Sequence, residues 1–304
     1  MSRIHEALKK AAQERLTQLT AGLEARVGEV AGETRGSVTG ASEVGLPVIP
    51  PRIVTAGHQT MPLRYEELVM RCAHPEWRLD PLKSVFQDSI IGHAVSERFR
   101  TLRSRLYQIA STRPLRRLLV TSSVAGEGKS FVASNLGQSI VQQPDLRVLL
   151  VDADMRASRL HATLGAPNRP GLSEYLRGEA NEIEVTQKGM EKNLFLIPGG
   201  GQVSNPSELL LGERMKHFLD RFTPMFDWII IDSPPAIPVH DASILADLTD
   251  GVLLVVQAGS THVEIAEKTA AEFQGKNLLG VVLNQVEKSD SYGDYYYGYH
   301  GNRD

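Results

Sequence analysis

The residues best suited to chemistry lie in a short loop that follows an apolar run. Residues 118–130 read L-L-V-T-S-S-V-A-G-E-G-K-S, and the loop ends in Gly128, Lys129 and Ser130. The backbone N–H groups of such a loop, together with the positive end of the following helix, attract phosphate. A lysine here reaches phosphate oxygens as a point charge, and the hydroxyl after it is a ligand for Mg²⁺. The loop therefore predicts a binding site for ATP and Mg²⁺.

The loop departs from the common phosphate-binding pattern G-x-x-x-x-G-K-[ST] at one position. Ser123 stands where the first glycine is usual, so the pattern alone is also compatible with an ordinary loop before a helix. Further matches along the chain favour the nucleotide site. The loop residues predicted to contact the nucleotide are Ala125, Gly126, Glu127, Gly128, Lys129, Ser130 and Phe131.

Three aspartates follow two other apolar runs. Residues 147–156, R-V-L-L-V-D-A-D-M-R, contain Asp152 and Asp154, and residues 227–235, D-W-I-I-I-D-S-P-P, contain Asp232. An aspartate after a strand is often only a helix cap. Parallel sheets, however, place their chemistry at the carboxyl ends of their strands, so these side chains are expected to meet the loop. The predicted catalytic group is Lys129, Asp152, Asp154 and Asp232, with Ser130, Asp154 and Asp232 holding the metal.

Composition excludes several classes of protein. The chain has 304 residues, of which 41% are hydrophobic and 23% charged, and a net charge of -3. That charge gives no basic field for nucleic acid. The single cysteine, Cys72, permits no internal disulfide, which favours a cytoplasmic location. No apolar run is long enough to cross a membrane, and the polar N-terminus lacks a signal-peptide core.

Buried strands and helices are predicted to alternate through the second half of the chain, which indicates a mostly parallel sheet with helices on both faces. The predicted strands are 116–121, 147–152, 194–197, 227–232, 251–256 and 278–284. The predicted helices are 129–141, 173–176, two between 206 and 221, 241–246 and 261–273.

The regions before and after the main domain differ from it in composition. Residues 1–28 predict an amphipathic helix, residues 29–60 a flexible linker rich in Gly, Ser and Pro, and residues 61–93 a lead-in segment. The main domain is expected at 94–288. The tail, 289–304, is predicted to be disordered. The N-terminal helix either packs on its own domain or docks to another chain.

The tail carries five of the eight tyrosines in the chain. They are Tyr292, Tyr295, Tyr296, Tyr297 and Tyr299. A terminal segment interrupted by Gly and Asp cannot pack so many rings, so the tail is either a low-complexity end or a set of phosphoacceptors.

A helix is also predicted from Ala94 to Ala110, capped by Ser96, with Val95, Phe99, Leu102 and Leu106 on one face. Glu97, Arg100 and Arg103 form a second row, either a solvated flank or a contact between subunits.

Taken in order, these motifs resemble those of the bacterial tyrosine autokinases, which regulate the polymerisation and export of capsular and other exopolysaccharides. The resemblance covers residues 85–304. Lys129 and Ser130 match the family's Walker A motif; Asp152, Asp154 and Arg156 match its D-x-D-x-R motif; and Asp232 matches its Walker B motif. The Glu97, Arg100, Arg103 row matches its oligomerisation motif, and the tail matches its tyrosine cluster.

The resemblance implies a P-loop kinase domain that forms a ring, in which one subunit's tail enters the neighbouring site. It also implies protein-tyrosine substrates and a separate transmembrane polysaccharide co-polymerase, which recruits the kinase to the inner face of the membrane. The opening M-S-R-I-H-E-A-L-K-K-A resembles autokinases beside exosortase-linked clusters. Asn284 stands where related folds contact adenine, or is a polar strand end, and Arg156 either binds phosphate or pairs with an aspartate.

Two other functions are compatible with a nucleotide site. A MinD- or ParA-like ATPase would require a second lysine in K-G-G-x-G-K, but Val124 occupies that position. A nucleotide-gated scaffold for the membrane partner would leave the tyrosine tail without a role.

Overall fold

The computed structural model describes residues 63–86, 90–189 and 193–286, with only the backbone of residues 90–93. The described residues all belong to one compact unit, residues 59–304. The predicted N-terminal helix (1–28), the linker (29–60) and the tyrosine tail (289–304) lie outside the described residues.

Strands and helices alternate as predicted, with boundaries shifted by one or two residues. The strands are β1 (Arg117–Ser122), β2 (Val148–Asp152), β3 (Gln187–Lys188), β4 (Leu194–Ile197), β5 (Trp228–Asp232), β6 (Gly251–Gln257) and β7 (Leu278–Asn284). The helices are α1 (Tyr65–Arg71), α2 (Ile90–Ala110), α3 (Lys129–Val141), α4 (Leu160–Leu164), α5 (Leu172–Arg177), α6 (Glu182–Val185), α7 (Pro206–Leu211), α8 (Glu213–Phe222), α9 (Asp241–Ala246) and α10 (Val263–Gln274).

The seven strands form one sheet in the order β3-β4-β2-β5-β1-β6-β7. Every pairing is parallel except that of β3 with β4, which is antiparallel. In the register of the sheet, Asp152 lies opposite Asp232, and Val120 of β1 also lies opposite Asp232. The loop after β1 and the acidic ends of β2 and β5 therefore share one edge of the sheet.

Apolar residues cover both faces of the central strands. Alternate residues point to opposite faces of a strand, so Leu118 and Val120 join one core layer while Leu119 joins the other. Ile230 and Ile231 on β5 divide in the same way. The continuous apolar runs seen in the sequence thus reflect helices packed on both faces, which is usual for parallel sheets.

The lead-in segment packs against the same core. Leu68 on α1 is fully buried, and Trp77 is buried in the layer beneath α2. The Ser84 hydroxyl donates a 2.7 Å hydrogen bond to the side chain of Gln138, and the Val85 N–H donates to Asn135 on α3. These bonds fasten the segment to the helix that follows the phosphate-binding loop.

Helix α2 has the predicted apolar face but not the predicted start. Phe99 and Leu106 are buried, and Val95 and Leu102 pack against the same layer. The prediction that Ser96 caps the helix is wrong, because α2 begins at Ile90 and Ser96 lies in its second turn as a buried residue. None of the helices in the described ranges, α2 included, combines the length and hydropathy needed to cross a membrane.

Candidate active site

The loop between β1 and α3 has the backbone of an anion site. Gly126 and Gly128 have φ angles of +93° and +90°, a region that favours glycine. Gly128 caps α3 without any side-chain hydrogen bond, so the first N–H groups of the helix remain open to a ligand. Ala125 and Gly126 are exposed. The loop is therefore shaped to receive phosphate through its backbone.

The side chain of Glu127, one of the residues predicted to contact nucleotide, packs beneath the loop and supports it. Its side chain is buried, with 1% exposed, and it accepts hydrogen bonds from the Val124 N–H (2.7 Å), the Gln257 N–H (3.2 Å) and the Thr261 hydroxyl. Asn284 donates a 2.8 Å hydrogen bond from Nδ2 to the Glu127 carbonyl. The carboxylate therefore ties the loop to β6, and Asn284 at the end of β7 adjoins the nucleotide loop.

Replacing Gly128 with Ala is expected to weaken nucleotide binding by roughly tenfold or more, because a Cβ there would lie 2.1 Å from Asn284 Nδ2. Gly126→Ala is the matched control: its φ is nearly the same, but nothing lies within 4 Å of an added Cβ. Titration of ADP into both variants separates the clash from backbone strain. Equal affinities in the two variants would contradict the proposed fit between Gly128 and Asn284.

Lys129 lies among the aspartates that the sequence predicted. Its Nζ is 3.0 Å from Oδ2 of Asp154, and the two side chains are 12% and 4% exposed. Burial opposes the charge on Lys129, but the carboxylates of Asp232 and Asp154 outweigh burial and raise its pKa above the ordinary value. The ammonium is therefore held charged at the mouth of the loop, where it can meet phosphate oxygens.

Asp232 is a buried carboxylate without a normal hydrogen bond. Its side chain is fully buried, and neither oxygen has a hydrogen-bond partner of good geometry among the described residues. Burial raises its pKa to about 8; the charge of Lys129 and the nearby Ser130 hydroxyl offset part of that rise, and Asp152 adds to it. Buried charges normally pair with a cation, so Asp232 is fitted to a group that the protein alone does not supply.

Replacing Asp232 with Asn is expected to stabilise the nucleotide-free protein, increasingly as the pH rises. The pKa of Asp232 increases from 3.8 to about 8 on folding, so its ionisation favours the unfolded chain above pH about 4, and this penalty is complete above about 8. Asn does not ionise. In thermal unfolding with a metal chelator, the gain in Tm should be several degrees near pH 8 and shrink toward pH 5. A gain that does not depend on pH, or a loss, would contradict this; Asp145→Asn, at an exposed aspartate, is the control.

Asp152 is fully buried at the end of β2 and heavily hydrogen-bonded. Its Oδ2 accepts from the Ser158 hydroxyl (2.8 Å) and from the N–H groups of Arg159 (3.1 Å) and Leu160 (3.0 Å), which begin α4. Its Oδ1 accepts only from the Asp154 N–H, at 3.1 Å. Burial raises the pKa of Asp152 to about 6, although the bonds from Ser158 and Leu160 lower it. Oδ1 thus retains a lone pair for one further proton donor.

Arg156 pairs with an aspartate, which is one of the two roles predicted for it. Its guanidinium donates to both carboxylate oxygens of Asp241, at 2.7 and 3.2 Å, and to the Ser207 hydroxyl at 2.9 Å. Asp241 is fully buried at the start of α9. Arg156 therefore joins the loop after β2 to α7 and α9. The contact between residues 85 positions apart could not be inferred from the sequence alone.

The loop after β4 was not among the predicted site residues, although it lies against the acidic cluster. A Cβ on Gly199 would lie 2.7 Å from the Ser158 hydroxyl that supports Asp152. Glu174 accepts hydrogen bonds from the N–H groups of Gly171 and Gly201 and so fixes the loop. The run of glycines that follows β4 in the sequence is the signal that could have identified this loop.

The three residues of the predicted oligomerisation row do not share one environment. Glu97 and Arg100 form an exposed ion pair, as expected for residues three apart on a helix. Arg103 is half-buried and donates to the Ser139 carbonyl on α3. Arg103 therefore stabilises its own domain, while Glu97 and Arg100 remain accessible.

Comparisons with known proteins agree with this geometry. Residues 118–299 match the model of the CobQ/CobB/MinD/ParA nucleotide-binding domain family. The chain is 31% identical to the solved kinase domain of the Escherichia coli tyrosine kinase ETK, with a TM-score of 0.59 over 65% of this chain and 80% of that one. The fold is thus that of P-loop nucleotide-binding proteins, and the chain binds nucleotide through this domain.

Two curated relatives match this chain over most of their own length. The tyrosine-protein kinase YwqD of Bacillus subtilis is 35% identical over 67% of this chain and 86% of its own length. The tyrosine-protein kinase CpsD of Streptococcus agalactiae is 37% identical over 62% of this chain and 82% of its own. Because these matches span most of each relative at 35% and 37% identity, the chain belongs to the bacterial tyrosine-protein kinases.

Proposed function

We propose that this kinase transfers the γ-phosphate of ATP to the tyrosines of its own C-terminal tail, from one subunit to another, and thereby regulates the polymerisation and export of an exopolysaccharide. The main support for phosphate transfer is the cluster of Lys129, Asp152, Asp154 and Asp232 around the open start of α3. Tyr292, Tyr295, Tyr296, Tyr297 and Tyr299 are the proposed acceptors.

The donor set suits Mg²⁺. Asp232 and Asp154 offer carboxylate oxygens, and Ser130 offers a hydroxyl beside them. The described residues contain no group of three or more His, Cys, Asp or Glu side chains that converges on one point, so no all-protein metal cage is present there. Mg²⁺ commonly uses one or two carboxylates and takes its other ligands from phosphate and water. Bound in this place, it would neutralise the charge on the β- and γ-phosphates.

The residues divide the reaction between them. The start of α3 and Lys129 would bind the phosphates, and Ser130, Asp154 and Asp232 would hold the metal. The tyrosine oxygen then forms a bond to the γ-phosphorus, the bond from that phosphorus to the bridging oxygen breaks, and ADP leaves. Little covalent work is required of the protein, since positioning and charge neutralisation dominate phosphoryl transfer.

Asp152 is the proposed acceptor of the phenol proton. An ordinary phenol, with a pKa of about 10, requires a base near neutral pH. A carboxylate whose pKa is raised to about 6 is ionised at pH 7 and is a stronger base than an ordinary one. Its Oδ1, with one bond from Asp154, has room for the proton.

Assembly and location are proposed from the accessible residues and the tail. Glu97 and Arg100 are exposed on α2 and are available to a neighbouring subunit in a ring. A separate transmembrane co-polymerase would bring the kinase to the inner face of the membrane. Phosphate on several tyrosines adds about two negative charges each, and their mutual repulsion would loosen the ring.

Replacing the five tail tyrosines with Phe tests this function. Incorporation of phosphate from Mg-ATP should fall to background, while the affinity for ADP stays within about twofold because the nucleotide site is unchanged. The matched control changes the other tyrosines, Tyr65, Tyr107 and Tyr175, which pack in the described fold, one at a time. Undiminished incorporation would exclude the tail as acceptor, and rapid ATP hydrolysis without phosphotyrosine would favour an ATPase.

A further inference from the structure

A groove of about 340 Å³ lies between α2 and β7, beside the start of α3. β7 is the last strand of the sheet and pairs only with β6. Val282 of β7 packs toward α2 with Phe99 and Leu102, and these three residues give the groove an apolar floor. Val286, just after the end of β7, also lines the groove and is 52% exposed. Val281 and Leu283 alternate with Val282 along the strand and so project from the opposite face of the sheet. An apolar groove beside an open sheet edge is suited to receive a segment of chain.

The opposite wall of the groove is basic. Arg98 and Arg105 on α2 line it and are exposed. They are seven positions apart, close to two helical turns, so they project from the same side of α2. Neither forms an ion pair with an acidic side chain in the described part of the chain. An occupant of this groove should therefore combine apolar or aromatic surface with negative charge.

The chain's own tail has this chemistry and begins three residues after Val286 in the sequence. Residues 289–304 contain five tyrosines, three aspartates and one arginine. Tyrosine rings pack on apolar side chains and stack on guanidinium groups, and the aspartates complement Arg98 and Arg105. Val286 is itself part of the wall, and Gln285 has a φ of +55°, which turns the backbone where β7 ends. At about 3.3 Å per residue, Tyr292 lies within roughly 20 Å of chain from Val286.

We propose that the tyrosine tail docks in the groove between α2 and β7 of its own subunit. A docked tail holds its tyrosines on a surface flanking the nucleotide loop and withholds them from a neighbouring subunit until they are released. The proposal does not depend on phosphate transfer, since it concerns the tail before modification. It assigns the groove to an internal segment and gives Arg98 and Arg105 a role separate from that of Glu97 and Arg100.

Chymotrypsin, which cleaves after tyrosine, tests the docking in the full chain without nucleotide. Wild-type protein should lose its tail slowly, and Val286→Lys and the double variant Arg98→Glu, Arg105→Glu should each lose it at least about fivefold faster, because cleavage follows the undocked population. All three side chains are exposed, so folding should be kept, as circular dichroism can verify. The control is Leu82→Lys, which changes a side chain that is 92% exposed and does not line the groove, and it should behave as wild type.

Diluting the protein distinguishes docking of a subunit's own tail from docking of the tail of a second copy. Docking within one subunit gives a cleavage rate that is constant across roughly a fiftyfold dilution, whereas docking of a second copy gives faster cleavage at low concentration. Equal cleavage of wild-type and groove variants would overturn the proposal, and so would protection that disappears on dilution. Because no ATP is present, either failure leaves the kinase assignment unaffected.

Discussion

Replacing Lys129 with Met is expected to lower phosphate incorporation by roughly 10²–10³-fold, as is usual when a charge that stabilises the transition state is lost. The Lys129 ammonium is 3.0 Å from Asp154, and its pKa is raised by Asp232 and Asp154 despite burial. It therefore remains charged while the transferring phosphoryl group and the leaving ADP carry negative charge. Initial rates of phosphotyrosine formation at saturating Mg-ATP measure the loss.

A matched lysine elsewhere separates this effect from a general change of charge. Lys276 forms a 2.8 Å ion pair with Asp247 on the surface. Lys276→Met removes the same charge and keeps the same apolar stem, so the rate should stay within about twofold of wild type because an exposed pair contributes little. If Lys129→Met retained more than about a third of the wild-type rate, the account of the loop would be wrong.

Replacing Asp152 with Asn is expected to reduce the rate of transfer by about 10²–10⁴-fold, the usual contribution of a positioned base. Asn cannot accept the phenol proton. An Asn oxygen in the place of Oδ2 can keep the bonds from Ser158 and Leu160, but its NH₂ group then faces the N–H of Asp154.

The affinity for ADP distinguishes a base from a purely structural residue. If Asp152 takes the proton, Asp152→Asn should bind ADP within about threefold of wild type while transfer is almost lost. Ser158→Ala serves as the control, because it removes one support of Asp152 and leaves the carboxylate in place. An equal loss of transfer in Ser158→Ala and Asp152→Asn, or a parallel loss of ADP affinity, would show that Asp152 acts only through the fold.

The sequence predicted that the aspartates would meet the phosphate-binding loop, because the apolar runs before them indicated parallel strands of one sheet. Runs of four apolar residues, each followed by Asp152 or Asp232, are typical of buried parallel strands, and the carboxyl ends of such strands meet at one edge of the sheet. The loop with Gly126 and Gly128 was visible for the same reason: a strand, positive φ angles and a helix follow one another along the chain. Both the strand ends and the loop could be predicted because each depends on residues that are close together in the sequence.

Contacts between distant residues were not predictable in this way. The burial of Glu127 beneath its own loop depends on Gln257, 130 residues away. The pair of Arg156 with Asp241 spans 85 residues and was only one of two possibilities in the sequence. Ser96 looked like a helix cap because it precedes a helical pattern, but Ile90 already begins the helix, and a local preference for capping does not decide where a helix begins. The two-residue strand β3 is too short to leave a pattern.

Phosphopeptide mass spectrometry of the C-terminal peptide, after incubation of the full chain with Mg-ATP, determines whether the kinase phosphorylates its own tail. We expect phosphate on one or more tyrosines from Tyr292 to Tyr299 in the wild-type protein and none in Lys129→Met. Addition of the cytoplasmic segment of a candidate membrane co-polymerase would show whether a separate chain activates the kinase. A tail that stays unmodified under every condition, in protein that still binds nucleotide, would contradict the autokinase and favour a nucleotide-gated scaffold.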